Sequence, residues 1–205
     1  MKNLCPIVIA GPSGSGKDTL IKELIKKHPF IHDAIGYTTR SRREGEIDGK
    51  DINFVSLNQF DVLLNSNKLF EYSYFDGNFY GMPWSEVENA YSKLTVFNVG
   101  IDAAKKLKEH DSNITTILVV PPTKEDLLTR IGDRGVERYN RARDDLNFAA
   151  SFFDNLVING TNQVEQAVVD IENIIFDESK EYSIENFTAF LENYFEKNKS
   201  KIYRK

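Results

Sequence analysis

Apolar and polar positions alternate along this chain in blocks that switch between two periods. Ile7-Val8-Ile9-Ala10 is a short continuous apolar run bounded by Pro6 and Gly11, the pattern of a strand buried on both faces. Lys17 to His28 then places Leu20, Leu24 and Ile25 at helical spacing, and Pro29 stops the run. Thr95 to Val99, Ile114 to Val120 and Leu156 to Ile158 repeat the strand pattern. Helical patterns are predicted from Pro83 to about Lys93, from Ala103 to Glu109, after Thr123, up to about Phe153, and from Gln163 to Phe176. Thr123 followed three residues later by Asp126 is a helix-start signal. Strands alternating with helices predict an α/β fold, a parallel sheet flanked by helices, with ligands at the carboxyl ends of the strands.

Two stretches break the alternation. Residues 34–82 hold short β-like pieces, many aromatics and a charged loop from Arg40 to Asp51, and read as an inserted subdomain. Residues 132–142 are rich in Gly, Arg and Asp and read as a mobile, arginine-rich lid. The expected organisation is a core of 1–33 and 83–180, an insert of 34–82, a lid of about 132–142, and a helical tail of 181–205. In the tail, Ile184, Phe187, Phe190, Leu191, Tyr194 and Phe195 share one helical face, which reads as a surface docked on the domain or used for a dimer or partner.

Composition narrows the function classes. With 40% hydrophobic and 28% charged residues the chain reads as soluble and globular, and its net charge of −5 does not suggest a nucleic-acid sheath. One cysteine, Cys5, permits no internal disulfide and fits a reducing cytoplasm. No apolar run approaches the roughly 18 residues of a membrane helix, and the first strand begins too early to leave room for a signal peptide. No role is assigned to His28, His32 or His110.

Gly11-Pro12-Ser13-Gly14-Ser15-Gly16-Lys17 matches G-x-x-x-x-G-K, the phosphate-binding loop of a P-loop NTPase-type fold, and it stands between a predicted strand and a predicted helix, the context the motif needs. Glycines let backbone N–H groups turn inward as an anion nest, the helix presents its positive end, and Lys17 adds a full charge at the β- and γ-phosphates of ATP. Asp18, with Thr19 next, stands where a Ser or Thr usually follows the lysine. It either contacts Mg²⁺, directly or through water, or points away. Arg130, Arg134, Arg138, Arg141 and Arg143 crowd together downstream. Guanidinium groups closing over a transferring phosphoryl group stabilise its spreading charge, and Arg130, Arg134 and Arg143 are the candidates.

Tyr37-Thr38-Thr39-Arg40-Ser41-Arg42-Arg43, the block from Gly45 to Phe54, Glu71, Gly77-Asn78-Phe79-Tyr80-Gly81 and Arg134-Gly135, taken with the phosphate loop, resemble the guanylate kinase family over residues 5–175. The resemblance implies ATP-dependent phosphorylation of a nucleoside monophosphate, GMP or dGMP first, with Mg²⁺. It implies that Arg40 and Arg43 grip the acceptor phosphate with Tyr80, and that Glu71 accepts from guanine ring N–H groups. Bidentate guanidinium chemistry agrees for the arginines. Several family positions are changed: a phosphate-binding tyrosine falls on Ile52, base-contacting Ser/Thr positions on Gly36 and Met82, and two aspartates on Asn98 and Gly100. Two other readings stay open. Ribose 1,5-bisphosphate phosphokinases, which give 5-phosphoribosyl diphosphate, look similar at Gly11–Asp18, at Asn98 and in the short span from Arg143 to Asn159. A guanylate kinase-like binding module without catalysis is the alternative from another class. A monomer or homodimer, with no nucleic-acid or membrane partner, is expected.

Overall fold

The computed structural model describes residues 5–132, 140, 142, 144, 146, 148–149, 151–177 and 194. These residues fall into two units, one within Met1–Pro6 and Phe30–Phe97 and the other within Ile7–Pro29 and Asn98–Lys205.

The larger unit is built on three parallel strands. β1 (Ile7–Ala10) pairs with β8 (Thr115–Val120), and β8 with β9 (Asn155–Ile158), each in parallel register. All four residues of β1 are buried, as its continuous apolar run requires. α1 (Lys17–Lys27) buries Leu20, Ile21 and Leu24, and packs on β1 and on α6 (Val164–Phe176). α4 (Ile101–His110) packs on β1 and β8. It starts two positions before the expected Ala103, because Gly100 is extended and acts as N-cap while Ile101 is already buried. α5 (Lys124–Ile131) starts as the sequence predicts: the Thr123 hydroxyl accepts from the Asp126 N–H at 3.0 Å.

Residues 140, 142, 144, 146, 148 and 149 are helical, and a turn at Ser151 and Phe152 follows. Most of the expected lid, with Arg134, Arg138, Arg141 and Arg143, lies outside the described residues. Of the tail, Tyr194 is described; it is helical, 7% exposed, and donates its hydroxyl to the Thr123 carbonyl at 2.7 Å.

The smaller unit carries a four-stranded sheet ordered β4-β3-β6-β5, from β3 (Tyr37–Thr38), β4 (Asn53–Phe54), β5 (Leu69–Phe75) and β6 (Asn78–Pro83). α2 (Leu57–Asn65) opens with a reciprocal cap between Ser56 and Gln59 and buries Phe60. β2 (His32–Asp33) pairs in parallel with the start of β7 (Thr95–Val99). The helix expected from Pro83 to about Lys93 is shorter: Pro83 ends β6 and caps α3 (Trp84–Asn89), and the Ala90 N–H turns onto Val87 to release the chain. Among the described residues no helix is long and apolar enough to cross a membrane.

Candidate functional site

In the larger unit the Gly11–Lys17 motif forms the turn from β1 into α1. Gly14 and Gly16 have φ of +87° and +83°, a left-handed conformation that glycine adopts without strain. A side chain at Gly11 would collide with the Val119 carbonyl, so the loop can turn this close to β8 only as glycine. The Ser15 N–H bonds the Pro12 carbonyl at 3.1 Å, and the N–H groups of Thr19 and Leu20 turn back to Gly16 at 3.1 and 3.2 Å, which starts α1. Lys17 is the first helical residue and Asp18 the second. The Lys17 ammonium lies 3.8 Å from an Asp18 oxygen, with side-chain exposures of 20% and 62%. The same Asp18 oxygen accepts from the Asn98 amide at 3.1 Å.

Arg130 joins this group from the last turn of α5. Its backbone and Cβ lie against Gly14, and its guanidinium donates to the Asn159 carbonyl at 2.9 Å and to the Thr161 hydroxyl at 3.4 Å. Arg130, Asn159, Thr161 and Thr19 help line an open cavity of about 330 Å³ beside the turn. Arg134 and Arg143 lie outside the described residues. Asn159 was not singled out by sequence reasoning. It is 4% exposed and donates its side-chain amide to the Ser15 carbonyl at 2.8 Å.

In the smaller unit the T-T-R sequence acts as a clasp. The Thr38 hydroxyl donates to the Phe79 carbonyl at 2.9 Å, while the Phe79 N–H donates to the Thr39 hydroxyl at 2.9 Å. These bonds fix β3 against β6, with Thr38 directly across from Tyr80. Arg40 follows at once, held in a way the sequence did not reveal. Its Nη1 and Nη2 donate to the two Glu46 carboxylate oxygens at 2.7 and 2.6 Å, and Nη1 also donates to the Ser41 carbonyl at 3.0 Å. The N–H groups left over lie on Nε and Nη2, one edge of the guanidinium plane, which suits a phosphate. Tyr80 lies near enough to this guanidinium to add a small electrostatic contribution that favours its charged form. Arg43 is exposed, and its backbone N–H donates to Glu46 at 2.8 Å.

The electrostatics follow from these bonds. Hydrogen bonding to Glu46 raises the Arg40 pKa above its ordinary value, partly offset by desolvation. The Arg40 bond pushes the Glu46 carboxyl down to about 2 from an ordinary 4.5, against its own desolvation and with help from the Arg43 N–H. The folded-state pKa is depressed, so the pair stabilises the fold in full above pH 4.5 and that contribution is lost as pH falls toward 2. The stability difference between wild type and Glu46→Gln is accordingly expected near pH 7 and shrinks to nothing toward pH 2. Urea midpoints across that range test it; a difference constant with pH contradicts the ion pair.

Glu71 lies opposite Met82, and Ser73 opposite Tyr80, so the antiparallel register sets Glu71, Met82 and Tyr80 on one face of the sheet. Glu71 is 7% exposed and its Oε2 is sealed from solvent. A Cβ on Gly36 would meet the Gly81 carbonyl at 3.0 Å and the Met82 methyl at 3.8 Å. The Met82 thioether across from Glu71 contributes no strong hydrogen bond to this face.

A glycine-rich turn that opens into Lys17 in one unit, and a tethered arginine with a buried carboxylate in the other, accompany a family match across most of the chain: the guanylate kinase model matches residues 3–178. This chain belongs to the guanylate kinase family. A guanylate kinase of Prochlorococcus marinus is 37% identical over 178 residues, covering 82% of this chain and 95% of the relative. One from Clostridium perfringens is 35% identical over 181 residues, covering 84% and 82%. The crystal structure of guanylate kinase from Anaplasma phagocytophilum has the same fold, with a TM-score of 0.69 at 24% identity over 84% of each chain. The Gly11–Lys17 loop, the T-T-R clasp and Glu71 all lie within the span matched by the guanylate kinase model.

Proposed function

We propose that this chain transfers the γ-phosphoryl group of ATP to a nucleoside monophosphate, GMP or dGMP, giving GDP or dGDP. The observation that carries this reading is the Gly11–Lys17 turn, with Lys17 opening α1, in a member of the guanylate kinase family. The triphosphate lies along the turn, with Lys17 at its outer phosphates and Arg130 beside the loop. Arg134 and Arg143, outside the described residues, complete the proposed cation set. The acceptor phosphate takes the open edge of Arg40, with Arg43 and Tyr80, and Glu71 takes the guanine N–H groups. An acceptor phosphate oxygen forms a bond to the γ-phosphorus as the bridge to the β-phosphate breaks and ADP leaves. That oxygen is already anionic, so no strong general base is required. A reducing cytoplasm is the proposed compartment.

Mg²⁺ uses one or two carboxylates together with phosphate oxygens and water. The exposed carboxylate of Asp18, held by Asn98 beside Lys17, fits that demand. When bound with ATP, the ion neutralises charge on the β- and γ-oxygens.

The test is a coupled ADP-release screen over GMP, dGMP, AMP, CMP, UMP, IMP and ribose 1,5-bisphosphate. GMP and dGMP are expected to lead. Glu71→Ala is expected to raise the KM for GMP roughly tenfold through lost charge-assisted hydrogen bonds, with little change for acceptors lacking those N–H groups. The absence of a side-chain hydroxyl at Gly36 and Met82, and the Asp18–Asn98 pair, favour ribose 1,5-bisphosphate as the second reading. It takes precedence if Glu71→Ala leaves GMP turnover unchanged and the sugar phosphate leads. No thermal shift with ATP would point instead to a binding module.

A further inference from the structure

We propose that Asn159 is a positioning residue that holds the phosphate loop in its ATP-binding shape and joins it to Arg130. The inference rests on the reading of Gly11–Lys17 as the ATP site. Asn159 follows β9 directly and is 4% exposed. Its side-chain amide donates to the Ser15 carbonyl at 2.8 Å, a bond between residues 144 apart in the chain. Ser15 is fully buried, so without Asn159 its carbonyl loses this partner inside the protein. The same amide nitrogen occupies the space that a Cβ on Gly16 would need. Asn159 therefore bonds the loop one residue before Gly16 and packs against Gly16 itself, where φ is +83° and the chain turns into α1.

The backbone of Asn159 forms the other half of the link. Its N–H bonds the Val120 carbonyl at 2.8 Å, which ties it to the end of β8, and its carbonyl accepts from Arg130 at 2.9 Å. One residue thus braces the amide-lined turn from beneath and fixes the guanidinium beside it. The conformation of the turn decides whether its N–H groups converge on an anion. Substitutions at 159 remove the side-chain bond to Ser15 but keep the carbonyl that receives Arg130, so they isolate the loop brace.

The experiment compares wild type, Asn159→Ala and Asn159→Asp. The aspartate variant has nearly the same shape, removes the donor and sets an oxygen against the Ser15 carbonyl; it covers the case in which the alanine leaves a damaging void. Direct ATP titration by calorimetry is paired with KM for ATP and for GMP. In both variants the ATP Kd and KM are expected to rise about tenfold or more, with aspartate the worse, while KM for GMP stays within about twofold. Unchanged ATP affinity in the aspartate variant overturns the proposal, and so do parallel rises in both KM values, which mark a general loss of structure. If wild type itself binds no ATP, the phosphate-loop reading fails, and the role of Asn159 falls with it.

Discussion

Lys17→Ala is expected to reduce kcat by at least about 10²-fold, the scale seen when one preorganised charge or donor is removed from a developing oxyanion. The reason is local. Lys17 is the first residue of α1, directly after the left-handed Gly16, so its side chain leaves the turn where the loop's amides and the helix's positive end converge. Its side chain is only 20% exposed, and a charge in such a setting acts through a lower effective dielectric than in water. Alanine is the best helix former, so α1 is not weakened. The unfolding midpoint should therefore stay near wild type while turnover collapses. Steady-state assays with calorimetric melting check both, and retained turnover ends the phosphate-loop assignment.

The parts of the fold that can be read from the sequence are those whose cause is local. β1 is legible because a strand buried on both faces must be apolar at every position, and all four residues are buried. The phosphate loop is legible because its glycines meet a conformational demand that few other residues satisfy. The start of α5 is legible because a threonine hydroxyl reaches the N–H three residues on. Where α3 ends is not: helical spacing continues past Asn89, and a single Ala90–Val87 bond releases the chain.

The same division runs through the site. Lys17, Arg40 and Tyr80 are marked by motifs. Glu46 lies in a run of charges that reads as solvated loop, and only its bidentate reach across six residues to Arg40 reveals it. Asn159 acts on Ser15 from 144 residues away, and a lone Asn after a strand carries no local signal of that. The Gly36, Met82 and Glu71 row is a product of strand register, which the sequence of each strand does not specify by itself.

Arg40→Ala is expected to raise the KM for the nucleoside monophosphate about 10²-fold, with the KM for ATP changing little. A charge-assisted hydrogen bond contributes about 1.5–3 kcal/mol, and the open edge of the guanidinium offers more than one. Arg40→Lys should recover only part of the loss, because an ammonium cannot present a planar fork. Glu46 separates the fork from its orientation. With Glu46→Gln the charge of Arg40 remains, but the grip that holds its Nη1 and Nη2 at 2.7 and 2.6 Å is weakened. The guanidinium must then be ordered at the moment of binding, so an intermediate rise of about three- to tenfold is expected. Arg40→Ala also leaves the Glu46 carboxylate, at 17% side-chain exposure, without its strongest partner, so its stability is to be compared with that of the Arg40→Ala/Glu46→Gln double variant. If the double variant regains stability but not acceptor affinity, Arg40 binds the acceptor. If affinity returns with stability, the arginine is a structural residue and the acceptor phosphate is held elsewhere.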